Sequence, residues 1–117
     1  MISSEQVLLA DGQFHGARIE VAEDRILSIS PLGPNDVVTT ELMLAPGFVD
    51  LQVNGIDDVD VWSTARGGDG GAWDRINNLL LDQGVTSWCP TLVTAPLEWY
   101  PKAIDFLRSQ NQNVLRP

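Results

Sequence analysis

The sequence predicts an α/β chain in two parts: strands of a small β-sandwich over residues 1–44, then alternating strands and helices over residues 45–117. Three observations predict it. Short apolar runs separated by turn residues fill the first part. At Leu42 they give way to segments that are almost wholly apolar. Between those segments the apolar spacing changes from every second residue to i, i+3, i+7, the signature of a helix face.

In the first part, Val7-Leu8-Leu9-Ala10 reads as a strand that meets the turn dipeptide Asp11-Gly12. Ala17-Arg18-Ile19-Glu20-Val21 alternates apolar and polar side chains, as a strand with one wet face does. Ala22-Glu23-Asp24-Arg25 turns the chain into Ile26-Leu27-Ser28-Ile29, and a loop from Pro31 to Asp36 leads to a fourth strand, Val37-Val38-Thr39-Thr40. This is a meander, read as one side of a sandwich.

In the second part, Leu42-Met43-Leu44-Ala45 is broken by Pro46-Gly47. Phe48 to Asn54 then alternates, with bulk from Phe48, Val49, Leu51 and Val53 and with Asp50, Gln52 and Asn54 on the opposite face. Gly67-Gly68-Asp69-Gly70-Gly71 reads as a flexible connection, lacking the Lys and Ser or Thr of a phosphate loop. Trp73, Ile76 and Leu80 share a helix face that Gly84 stops. Val85 to Cys89 reads as a second buried strand continued by Thr91 to Thr94, and a second helix is expected from Pro96 with Leu97, Tyr100, Ile104 and Leu107 on one stripe. Strand, helix, strand, helix is most simply a pair of parallel βα units. With only two such strands, the sheet edges stay open unless more chain or another molecule covers them.

Composition narrows the function classes. The net charge of −9, from 16 acidic against 7 basic residues, opposes a phosphate backbone, so no nucleic-acid partner is expected. The only cysteine, Cys89, can make no intrachain disulfide, which fits a reducing cytoplasm. The first residues lack a basic segment followed by a long apolar run, and no stretch approaches about 18 apolar residues, so neither export nor a membrane is expected.

The segment Leu44-Ala45-Pro46-Gly47-Phe48-Val49-Asp50-Leu51-Gln52-Val53-Asn54-Gly55 resembles the first barrel strand of the amidohydrolase superfamily, where Pro-Gly-Phe-Ile-Asp leads into a polar-x-polar pair. In most of that superfamily the pair is a metal-binding His-x-His. Here it is Gln52-x-Asn54, similar to the variant in N-acetylglucosamine-6-phosphate deacetylases. Val59-Asp60-Val61 and the stretch from Gly84 to Thr94 resemble further signatures of those enzymes, and the strand-rich start resembles their small β-sandwich.

The resemblance implies that residues 45–117 are the first two βα units of an incomplete (β/α)8 barrel, a fold that needs roughly 200 residues or more. It implies a divalent metal, often zinc, and hydrolysis of N-acetylglucosamine 6-phosphate to glucosamine 6-phosphate and acetate. An amide is a poor electrophile and neutral water a poor nucleophile, and a Lewis acid changes both. The family's metal ligands are a Glu in a His-x-Glu-Gly-Pro-like segment and two later histidines, with an Asp as general acid and base. These are expected downstream of Pro117. Residues 113–117 fall where the strand bearing that Glu should begin. No catalytic residue or metal ligand is therefore assigned within the 117 residues, which are expected to be inactive alone and to bind no metal tightly. The full-length enzyme is expected to be a cytoplasmic homo-oligomer.

Gln52 and Asn54 are the site candidates, because spacing by two puts both at the carboxyl end of a barrel strand, where active sites of that fold lie. Neutral amide oxygens are weak zinc ligands beside imidazole, so contact with substrate or with metal-bound water is the expected role. Asp50 is read as a structural carboxylate, and Asp57, Asp58 and Asp60 as a solvated acidic loop without the glycine and terminal Glu of a calcium loop. His15, the only histidine, reads as a turn or surface residue, and Cys89 as a small buried filler. Two other readings stay open. One is a dihydroorotase-like or hydantoinase-like amidohydrolase, which the absence of His-x-His opposes. The other is a non-catalytic module that self-associates through open sheet edges.

Overall fold

The computed structural model describes residues 1–110 and is a mixed α/β protein. The chain divides into two compact units, Met1–Pro46 and a second beginning at Gly47.

The first unit is a three-stranded antiparallel sheet in the order β1 (Ile2–Leu8), β2 (Phe14–Ala22), β3 (Arg25–Pro31). Its turns follow from local chemistry. Gly12 takes φ +76° beside Asp11, and Glu23 and Asp24 take φ +50° and +61° to close the tight β2–β3 hairpin. Two positive φ values in a two-residue loop match the right-handed twist of the flanking strands. Each strand pair carries one register shift. β1 spends an extra residue between Ser4 and Val7, and β3 spends one opposite the Glu20–Val21 step.

Two expectations fail in this unit. The first strand begins at Ile2 and ends at Leu8, because Leu9 already belongs to the turn, bonding both ways with Gln13 and Gly12. Residues 37–40 form no strand. They are fastened by the Thr39 and Thr40 N–H groups on the Ser3 carbonyl, at 3.1 and 3.2 Å, and by hydroxyls: the buried Ser3 hydroxyl donates to the Val37 carbonyl at 2.7 Å, and the Ser3 amide donates to the Thr39 hydroxyl at 2.8 Å. The Ser4 hydroxyl donates to the Leu42 carbonyl at 2.7 Å. Hydroxyls thus do what a strand ladder would otherwise do for these backbone groups. The three strands of this unit form a single sheet.

The second unit opens with β4 (Phe48–Val53), followed by a miniature hairpin of β5 (Gly55–Ile56) and β6 (Val59–Asp60). Helix α1 (Val61–Gly67) and helix α2 (Gly70–Asp82) lead to β7 (Val85–Pro90), which pairs with β4 in parallel. A 3-10 turn, Leu97–Trp99, then runs into α3 (Tyr100–Gln110). The glycine-rich connection is a helix boundary. Gly68 ends α1 at φ +73° with its N–H on the Thr64 and Ala65 carbonyls, and Asp69 caps α2 by accepting from the Ala72 N–H at 3.0 Å.

Trp73, Ile76 and Leu80 are buried, as their spacing predicts. Ile76 and Leu80 form one core with Val53 and Val61, against which Val85 and Trp88 pack. Trp62, Ala65 and Ala103 form a second core, with Tyr100, Phe106 and Leu107 at its margin. The expected stripe of the last helix is corrected here. Leu97 is 84% exposed and Ile104 is exposed, while Ala103, unremarkable in the sequence, is fully buried. The early Pro96 starts a 3-10 turn, not an α-helix, which rotates the stripe. The strand expected to continue through Thr94 stops at Pro90, where Thr91 turns its N–H onto the Val53 carbonyl at 2.9 Å. Cys89 is exposed and not a buried filler, because the helices pack around Val85 and Trp88 and not around it. Residues 113–117, where a further strand was expected, lie outside the described residues.

Candidate functional site

Gln52 lies in the last turn of the pleat of β4, and Asn54 follows its last residue. Two glycines explain why the chain takes this path. A Cβ on Gly47 would fall 2.1 Å from the Thr86 side chain, so the approach of β4 to β7 needs a bare backbone there. A Cβ on Gly55 would fall 2.5 Å from the Val59 carbonyl oxygen, so the hairpin after Asn54 needs glycine too. The Pro-Gly-Phe and Asn-Gly pairs of the sequence thus have packing reasons.

Backbone bonds tie both ends of β4. The Phe48 N–H donates to the Gly84 carbonyl at 2.8 Å, and the Asn54 carbonyl accepts from the Val61 N–H at 2.9 Å, at the start of α1. Asp60 caps that helix by accepting from the Ser63 N–H. Asp50, half-buried, accepts the Gln52 N–H on its carboxylate at 3.0 Å. Between these points the ladder slips: Asp50 pairs with Trp88 but Val53 with Pro90, so β4 spends three steps where β7 spends two.

The expected strict alternation along β4 is therefore not seen in burial. Val53 is buried, but Phe48 and Val49 are exposed and Leu51 is 75% exposed. Gln52 and Asn54 are both exposed, and no hydrogen bond to either side-chain amide is described. They sit together at the carboxyl end of β4. The two hollows described, of about 360 and 320 Å³, are lined by residues of the first unit, and neither includes them.

The acidic residues of the following hairpin are a surface feature. Arg75 bridges Asp57 at 3.2 Å and also pairs with Asp58, all three exposed, so the contribution is small. His15, the one histidine of the sequence, is exposed and lies 2.8 Å from Asp11. Among the described residues no three His, Cys, Asp or Glu side chains come together to hold a metal ion. With Gln52 and Asn54 offering only neutral amide oxygens, the described residues do not fit a zinc centre. Among the described residues no helix is long and apolar enough to cross a membrane.

Sequence reasoning missed the β5–β6 hairpin and α1. A signal for α1 was present: Asp60 precedes Val61 and Trp62 as a helix-capping residue does.

No family model matches the chain. It is similar to the N-acetylglucosamine-6-phosphate deacetylase of Bos taurus, 48% identical over 62 residues, which are 53% of this chain and 15% of that protein. The Danio rerio protein of the same name is 44% identical over 69 residues, 59% of this chain and 17% of that protein. The matched segment is thus a small part of these curated relatives. The fold is similar to the crystal structure of the Mycobacterium smegmatis N-acetyl-D-glucosamine-6-phosphate deacetylase, with a TM-score of 0.79 at 22% identity, over 96% of this chain and 32% of that one. A mutant of that enzyme in complex with N-acetyl-D-glucosamine-6-phosphate gives a TM-score of 0.78 and covers 29% of its chain. The resemblance to N-acetylglucosamine-6-phosphate deacetylases therefore holds in sequence over about half of the chain, and the fold is shared with a solved structure of one.

Proposed function

We propose that this chain is the amino-terminal part of an amidohydrolase that hydrolyses N-acetylglucosamine 6-phosphate to glucosamine 6-phosphate and acetate. The observation that carries the reading is the 48% identity to a deacetylase of that name over half of the chain. The 62 matched residues are far too many for a shared strand motif alone. In this reading β4 and β7 with their helices are the first two βα units of an incomplete (β/α)8 barrel, and 1–44 is part of a β-sandwich. The parallel β4–β7 pair, two strands with no further strand paired to either among the described residues, is consistent with that.

In the complete protein, Gln52 and Asn54 would project from the carboxyl end of the first barrel strand toward the amino-sugar phosphate, donating and accepting hydrogen bonds through their amides. A divalent metal, zinc by resemblance, would activate water for the amide. Its ligands would come from outside the described residues. The complete enzyme is proposed to be cytoplasmic and homo-oligomeric.

The test compares two polypeptides in an assay for glucosamine 6-phosphate release. The 117-residue chain with added zinc is expected to give no turnover, and a polypeptide extended by its natural downstream coding sequence is expected to give zinc-dependent turnover. Release of product by the short chain, or no turnover by the extended one, would overturn the reading.

A further inference from the structure

Resting on that reading, we propose that Asp50 is a positioning residue: its carboxylate, by holding the Gln52 amide, fixes the direction in which Gln52 and Asn54 leave β4. The Asp50–Gln52 bond of 3.0 Å spans the place where the β4–β7 ladder takes up its extra residue. An extra residue in one strand bends it locally and re-aims the side chains around it. Left alone, such a segment has backbone groups without ladder partners and several ways to settle.

Here three neighbouring main-chain groups are engaged. The Gln52 N–H goes to Asp50, the Val53 carbonyl to Thr91 at 2.9 Å, and the Asn54 carbonyl to Val61 at 2.9 Å. Two of these partners are main-chain atoms supplied by β7's end and by α1. Asp50 is the only side chain among them, and therefore the one that a substitution can remove. A bond to a carboxylate is also roughly twice as strong as one between neutral groups.

The experiment compares Asp50→Ala with Asp50→Asn, which keeps an oxygen acceptor of the same reach. Both are made in the polypeptide as its gene encodes it. Hydrogen exchange of the Gln52 amide is followed at single-residue resolution, together with kcat and KM for N-acetylglucosamine 6-phosphate. Asp50→Ala is expected to speed exchange at Gln52 about tenfold and to leave the amides of β7 unchanged, and Asp50→Asn to stay within about threefold of the original. In turnover, Asp50→Ala is expected to lower kcat about tenfold with KM little changed, and the Asn variant to restore it. Unchanged exchange at Gln52 in the Ala variant overturns the proposal. So does faster exchange throughout β7, or an Ala variant with altered exchange but ordinary kcat. If the unmodified protein turns over no substrate, the deacetylase reading falls, while the exchange comparison still decides whether Asp50 holds the strand end.

Discussion

The two units are held together by different means. In Met1–Pro46 each strand follows its neighbour through a short turn, and the loose segment after β3 is fastened by hydroxyls of Ser3 and Ser4. In the unit that begins at Gly47, β4 and β7 are separated by a hairpin and two helices, and they meet in parallel only because those helices bury Val53, Val61, Ile76 and Leu80 between them and the strands. The first unit can form its pairs locally, with little loop to close. The second must close a long crossover before its strands gain anything. Hydrogen bonds placed by turns define the one, and apolar packing defines the other.

All four tryptophans, Trp62, Trp73, Trp88 and Trp99, lie in the second unit, so their fluorescence reports on it alone. Ile76→Ala, at a position with 0% exposure, is expected to cost the second unit about 3 kcal/mol in a urea titration followed by that fluorescence. A loss below about 1 kcal/mol would mean that packing does not hold this unit, and the contrast with the first would disappear.

In the first unit the corresponding change is polar. Ser3→Ala leaves the Val37 carbonyl without its 2.7 Å partner and is expected to cost about 1–2 kcal/mol, seen as faster amide exchange in β1 and β2 with the tryptophan transition unmoved. A shift of both signals together would show that the two units unfold as one.

The smallest effect expected is electrostatic. The Gln13 N–H, and then His15, hold the Asp11 carboxyl below the usual carboxylate range. Because the folded turn favours the charged form, its support for the fold is complete above that range and is lost as pH falls through the lowered pKa. His15→Ala is expected to raise the Asp11 pKa only part of the way in a carboxyl-detected NMR titration, since the Gln13 bond remains. An unchanged value would leave the backbone as the sole cause.

The same contrast governs how much was legible in the sequence. The Asp11-Gly12 and Glu23-Asp24 turns could be read because turn formation depends on neighbours only. The face of α2 could be read because Trp73, Ile76 and Leu80 repeat at a helical period over a long enough stretch. The stripe on α3 could be read only in part, since Tyr100 and Leu107 pack at the second core while Leu97 and Ile104 are exposed. It depends on where the helix starts, and Pro96 delays that start by a 3-10 turn. Gln52 and Asn54 were legible as a pair at a strand end. The alternation used to assign their face is not matched by burial, since Phe48, Val49 and Leu51 are all exposed.

What the sequence determined by itself is therefore the turns at Asp11-Gly12 and Glu23-Asp24, the buried face of α2 and the resemblance to a deacetylase, since turn chemistry, helical period and residue identity act over a few neighbours. The tertiary structure alone decided the register of β4 on β7, the burial of Ala103 and the exposure of Cys89. Each of those depends on which distant backbone arrives alongside, and in the case of Gly47 on a Thr86 side chain that leaves no room for a Cβ.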